Sequence, residues 1–205
     1  MLKMILNEFA ENSYVLTEGS TTYVIDPGSN TDAMIDYLES HQLVPEAVLL
    51  THGHFDHIQG VNTLIDKYRI SVYIHPEERD FLFDPNLNLS ALMREPYRVF
   101  KKDFVKTYRF DQTFPLGDTP LRVIHTPGHT RGSVSFAFDD VLFSGDALFK
   151  ENIGRTDLPT GDYETLIETI KQLTQTHADN TLVYPGHGPM TTIVHEKHHN
   201  PYLKE

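Results

Sequence analysis

Cysteine is absent from the 205 residues of this chain. That excludes disulfides, cysteine-ligated zinc, iron–sulfur clusters and a thiol nucleophile. Positive charge is scarce: 17 Lys and Arg stand against 29 Asp and Glu, a formal charge of −12. Nucleic acid is therefore not the expected partner, because neutralising phosphates requires a basic face. Long apolar runs are missing too. None approaches a membrane span, and Met1–Tyr14 lacks the basic start and long apolar core of a signal peptide. No membrane partner and a cytoplasmic location are expected. A globular chain of this length buries about 70% of its unfolded surface, enough for a core without staples. What stands out instead is histidine, 12 in all, several in tight groups. Imidazole is the commonest metal ligand among side chains, so the composition asks where an ion would sit.

Local pattern predicts one α/β domain over residues 1–205, built as two β-rich halves each backed by helices, in the manner of a four-layer αββα sandwich. Strand-like runs at Leu2–Leu6, Tyr14–Thr17 and Tyr23–Asp26 precede a helix over Thr31–His41. Ala47–Leu50 reads as a strand buried on both faces, since its apolar residues are continuous rather than alternating. A helix through Leu64, Ile65 and Tyr68 follows, then a strand at Ile70–Ile74. Phe81 to Phe110 reads as irregular, because Pro85, Pro96 and several asparagines break any period. Strands return at Leu121–Ile124, Val134–Phe138 and Val141–Phe143. Asp162 is expected to cap a helix carrying Leu166, Ile167, Ile170 and Leu173 on one side. Strand Leu182–Tyr184 and a short helix ending at Asn200-Pro201 complete the pattern.

The densest chemistry lies in Thr51-His52-Gly53-His54-Phe55-Asp56-His57, directly after a predicted buried strand. Zinc is held by neutral imidazole and carboxylate at about 2.0–2.2 Å, and a strand-to-helix loop can fan such groups toward one cavity. His129, Asp146 and His187 each follow a predicted strand and stand near a glycine. All the candidates therefore lie at the C-terminal ends of strands, where loops on a rigid sheet build functional sites.

The series His52-x-His54-x-Asp56-His57, then His129, Asp146 and His187, resembles the five-part signature of the metallo-β-lactamase superfamily, over about Leu2 to Leu203. The resemblance implies an αββα sandwich with a dinuclear site at one edge. It implies that His52, His54 and His129 hold one ion, that Asp56, His57 and His187 hold the other, and that Asp146 bridges both. Two divalent ions are expected, zinc first, with iron or manganese as alternatives. Paired ions lower the pKa of a shared water toward about 7, and Asp56 beside it is the expected catalytic proton carrier.

Departures narrow the branch. The better-known zinc β-lactamases use a cysteine on the second metal, where this chain offers Asp146. Flavodiiron proteins carry glutamate where His54 stands, and the nucleases add a basic exosite or a large insertion. Gly154-Arg155-Thr156-Asp157, Gly186-His187-Gly188-Pro189 and Asn200-Pro201-Tyr202-Leu203 resemble the short glyoxalase II-like hydrolases. The implied reaction is hydrolysis of a small hydroxyacyl thioester by metal-bound hydroxide. The sequence ends at Glu205, without the helical region by which full-length glyoxalase II grips glutathione, so the carrier thiol stays open between glutathione and another small thiol. The alternative is a mononuclear iron persulfide dioxygenase of the same fold, using His52, His129 or His54, and Asp146. The second set of ligands favours the hydrolase.

Arg155 falls near a basic substrate contact of glyoxalase II, and pairing with Asp157 is its competing role. Arg94–Arg109 carries Arg94, Arg98, Lys101, Lys102, Lys106 and Arg109 against only Glu95 and Asp103. It reads first as a solvated basic face and second as an attractor of anionic substrates. His195-Glu196-Lys197-His198-His199 is a literal H-E-x-x-H, expected to be incidental because Glu205 is the only carboxylate after it. Asp26 reads as a turn residue.

Overall fold

The first six strands line up in sequence order within one sheet. β1 (Leu2–Leu6), β2 (Asn12–Glu18) and β3 (Thr21–Ile25) form an antiparallel meander, and β4 (Ala47–Leu49), β5 (Ser71–Ile74) and β6 (Val105–Thr107) continue it in parallel. Parallel neighbours need crossovers. α1 (Thr31–Ser40) supplies one, and α2 (Phe55–Ile58) with α3 (Val61–Tyr68) supplies the next. This computed structural model describes residues 1–109 and 111–204. Its first sheet belongs to a unit of Met1–Phe110 with Pro115–Asp118, and a second unit comprises Asp111–Phe114 with Thr119–Glu205.

In the first unit, all three residues of β4 are buried, as the continuous apolar run predicts. Val24 and Val48 of the sheet pack with Met34 and Leu38 of α1 and with Leu64 and Ile65 of α3. Two local readings are corrected. Asp56 and His57 lie in the short helix α2 rather than in an open loop. The segment expected to be irregular contains β6, paired in parallel with β5, besides 3-10 turns at Ser90–Leu92 and Lys102–Phe104 and the end of another at Pro76–Leu82. Three residues are too few to display a period, which hides β6 from the pattern. Phe110, the end of that reading, lies outside the described residues.

The second unit has its own mixed sheet. Its strands are β7 (Thr113–Phe114), β8 (Leu121–His125), β9 (Val134–Phe138), β10 (Val141–Gly145), β13 (Leu182–Pro185) and β14 (Thr191–Thr192), with β11 (Leu148–Phe149) and β12 (Asn152–Ile153) forming a small hairpin beside them in the chain. The sheet order is β14-β13-β10-β9-β8-β7. Only β10 and β13 pair in parallel, and α4 (Tyr163–Thr176) makes the crossover between them. α5 (Ile193–His199) follows β14. The start of α4 is capped as expected: Asp162 accepts a hydrogen bond from Thr165 N at 2.8 Å. Its buried side, Leu166, Ile170 and Leu173, packs with Leu142, Val183 and Ile193.

Truncating that side tests the packing. Leu166→Ala should cost about 2–5 kcal/mol of stability through lost burial and a cavity. Asp162→Ala should cost about 1 kcal/mol through the lost cap. Urea denaturation reads both, and an L166A midpoint equal to wild type would contradict the placement of α4.

Candidate metal centre

Imidazole ligates metal only when neutral and with a lone pair aimed outward, so the partner of its other nitrogen decides whether it can serve. In the first unit the chain leaves β4 and reaches His52 and His54, then enters α2 with Asp56 and His57. His52, His54 and His57 are buried, and Asp56 is half-buried. Asp26, at the end of β3, organises them. Its Oδ1 accepts from Thr51 N at 2.7 Å, and its Oδ2 accepts from Thr51 Oγ1 at 2.6 Å and from His57 Nδ1 at 3.1 Å. Because the Thr51 hydrogen goes to Asp26, that hydroxyl accepts from His52 Nδ1 at 3.0 Å. The network thus assigns the proton to Nδ1 in both His52 and His57, which leaves the lone pair of each on Nε2. His52 Nε2 lies 3.1 Å from His54 Nδ1, and His57 Nε2 lies 3.9 Å from Asp56 Oδ2.

Asp26 does occupy a turn, with φ +46°. Its carboxylate has the larger task of orienting two of the predicted ligands, which the turn reading missed. The available signal was its placement after an apolar strand, the same placement as the ligand candidates. Glu78 was missed as well. It is buried, and its Oε2 accepts from Gly53 N at 3.1 Å, fixing the backbone between His52 and His54.

The second unit repeats the logic with a backbone carbonyl. His129 Nδ1 donates to Arg155 O at 2.7 Å, so its Nε2 carries the lone pair. That Nε2 stands 3.5 Å from Asp146 Oδ2, and His187 Nε2 stands 3.5 Å from the same oxygen. Hydrogen bonds between such groups run at about 2.7–3.2 Å. Two atoms each about 2.1 Å from one tetrahedral ion lie about 3.4 Å apart. The donor set and its spacing therefore fit divalent metal. Gly154 is required here, because a Cβ on it would collide with the Asp146 carbonyl and come within 3.0 Å of His129 Nδ1.

Other predicted residues take different parts. The Arg155 guanidinium is exposed and bidentate to Asp157, at 2.7 and 2.8 Å, and it pulls that carboxyl down to about 2. It is the Arg155 carbonyl that reaches His129. In the basic segment, Lys101 pairs with Asp66, Lys102 lies over the Phe83 ring, and Lys106 donates to Asp103 O. In the H-E-x-x-H segment, the His195 and His199 rings stack at 4.4 Å, and His195 Nε2 meets Glu151 Oε1 at 2.8 Å. Glu196 points inward and accepts from Thr191 Oγ1, Glu151 N and Asn200 Nδ2. Those three donors occupy the carboxylate that a metalloprotease reading would need as a base. Glu205 lies outside the described residues. Among the described residues no helix is long and apolar enough to cross a membrane.

The family model for the metallo-beta-lactamase superfamily matches residues 6–187. The chain belongs to that superfamily. A probable metallo-hydrolase of Streptococcus pyogenes serotype M6 is 40% identical to it, over 98% of this chain and 89% of its own length. The hydroxyacylglutathione hydrolase GloC of Haemophilus influenzae is 33% identical, over 95% of this chain and 93% of its own. The crystal structure of BLEG-1, described as a B3 metallo-beta-lactamase, superposes with TM-score 0.91 at 42% identity, over all of both chains. The fold is therefore the mixed α/β fold of the metallo-β-lactamases, and the chain is a metallo-hydrolase of that superfamily with a histidine-rich site suited to divalent metal.

Two sets of variants check the assignment. Gly154→Ala should weaken metal retention by about 10–100-fold through displacement of Asp146 and His129. His195→Ala and His199→Ala should leave metal content at the wild-type level. Elemental analysis after buffer exchange reads both, and metal lost from H195A but not from G154A would reverse the assignment.

Proposed function

We propose that this chain is a dinuclear metal-dependent hydrolase of a small hydroxyacyl thioester, of the glyoxalase II-like kind. His52, His54 and His129 are the ligands proposed for one ion, Asp56, His57 and His187 for the other, and Asp146 for the bridge. The observation that carries this reading is Asp146 Oδ2, placed 3.5 Å from one histidine of each proposed set. Two cations about 3.5–4 Å apart need such an anion between them. The 33% identity to a protein described as a hydroxyacylglutathione hydrolase supports the thioester.

When bound, the two ions supply a water acidic enough to furnish a nucleophile near neutral pH and a Lewis acid for the acyl oxygen. Zinc is the proposed metal, with iron or manganese as alternatives. Asp56, half-buried next to His57, is proposed to take and return the proton of the nucleophilic water. A thiolate leaves without help from a general acid, so a site lacking an evident acid suits a thioester better than an amide. Arg155 is the proposed contact for an anionic part of the substrate, which would have to displace Asp157 from the guanidinium. Phe9 adds an exposed apolar ring, set edge-on to Phe55 at 5.3 Å beside the metal-ligating segment, against which an acyl chain could rest. The substrate is taken to be a small molecule met in the cytoplasm.

Anaerobic assay decides between this reaction and persulfide oxygenation, which would consume oxygen. Metal-loaded protein should cleave a lactoyl-type thioester without oxygen and lose the activity on chelation. Asp146→Ala should cost more activity than the loss of any single histidine, since it removes a ligand from both ions. Absence of anaerobic cleavage, together with oxygen uptake on a persulfide, would contradict the hydrolase.

A further inference from the structure

Glu11 is fully buried, an uncommon place for a carboxylate. It stands at the entry to β2, with Oε1 3.8 Å from His57 Nδ1, and Asp26 Oδ2 approaches the same nitrogen at 3.1 Å. Two buried carboxylates therefore face one imidazole on the side away from its ligating Nε2. The position of Glu11 is set from behind. Asn7 Nδ2 and Gly28 N both donate to Ser13 Oγ, at 2.7 and 2.9 Å, so the Ser13 hydrogen is directed onward to Glu11 Oε2 at 3.3 Å. A Cβ on residue 28 would collide with Glu11 Oε2, so the approach requires Gly28. Asn7 is in turn anchored, accepting from Asn30 N at 2.6 Å through Oδ1 and donating from its own N to Glu11 O at 2.9 Å.

A carboxylate hydrogen-bonded to Nδ1–H makes the ring a stronger ligand at Nε2. A second carboxylate close to that nitrogen, buried where salt screens weakly, adds attraction for any cation bound on the far side of the ring. We propose that Glu11 is a positioning residue that strengthens the ion held by His57, acting through the imidazole without touching the metal. The inference rests on the dinuclear reading above, in which His57 serves one ion only. Its effect is accordingly confined to that ion. Asp26 holds the ring by a direct hydrogen bond, and Glu11 contributes chiefly charge.

The test compares Glu11→Gln, which keeps the shape and removes the charge, with Glu11→Asp, which keeps the charge. Apoprotein of each is titrated with zinc against a chromophoric chelator, and apo Tm is measured alongside. Glu11→Gln should weaken one of the two zinc ions by about 10–100-fold, leave the other within about threefold, and leave apo Tm no lower than wild type. Glu11→Asp should retain most of the affinity of the weakened ion. Two zinc constants unchanged in E11Q would overturn the inference and leave the dinuclear reading standing. Equal weakening of both ions with a lowered apo Tm would overturn it in favour of a packing role. A wild-type chain that takes up only one zinc would overturn the dinuclear reading itself, and the inference with it.

Discussion

Every candidate ligand histidine has two ring nitrogens, and the site works only if the right one keeps its lone pair. That constraint explains why the residues around the ligands are what they are. Asp26 and Thr51 fix the tautomers of His52 and His57, and the Arg155 carbonyl fixes that of His129. The acceptors are themselves held by regular structure: Asp26 closes β3, and Thr51 follows β4. The sheets thus act as rulers for the protons as much as for the ligands. Preorganisation of this kind removes rotamer freedom before any ion arrives, which is why such supporting groups count in metal affinity.

The candidate ligands were legible in the sequence because metal chemistry accepts few side chains and the chain has no cysteine to compete. His52, His54, Asp56, His57, His129, Asp146 and His187 could each be picked out by type and by position after a strand. The supporting groups were not. A backbone carbonyl such as that of Arg155 is present at every residue and leaves no mark in the sequence. Buried acids such as Glu11 and Glu78 look like surface residues until the fold encloses them. Among the elements, α4 was legible from the period of Leu166, Ile170 and Leu173 and from its Asp162 cap. β6, β7, β11, β12 and β14 span two or three residues each, shorter than any period that pattern can reveal.

Charge is distributed with the same economy. The chain carries −12, yet its most consequential acids are the buried few near the histidines rather than the many at the surface. Exposed pairs such as Arg155–Asp157 and Lys197–Asp179 contribute little to stability in water. Buried carboxylates are costly unless a cation or a donor meets them, and Asp26, Glu78 and Glu11 meet such donors in Thr51, Gly53 N and Ser13. The H-E-x-x-H segment illustrates the converse. Its histidines have the spacing of a metal site, but Glu196 is committed to joining α5 to the β11–β12 hairpin and to Thr191. Spacing alone does not make a site.

The proposed dinuclear site requires two ions with Asp146 between them. Anomalous diffraction from crystals grown with zinc, recorded on both sides of the zinc absorption edge, tests it directly. Two peaks about 3.5–4 Å apart are predicted, one beside His129 and one beside His187, with Asp146 reaching both. A single peak at fully loaded occupancy, with Asp146 bound to that ion alone, would contradict the account.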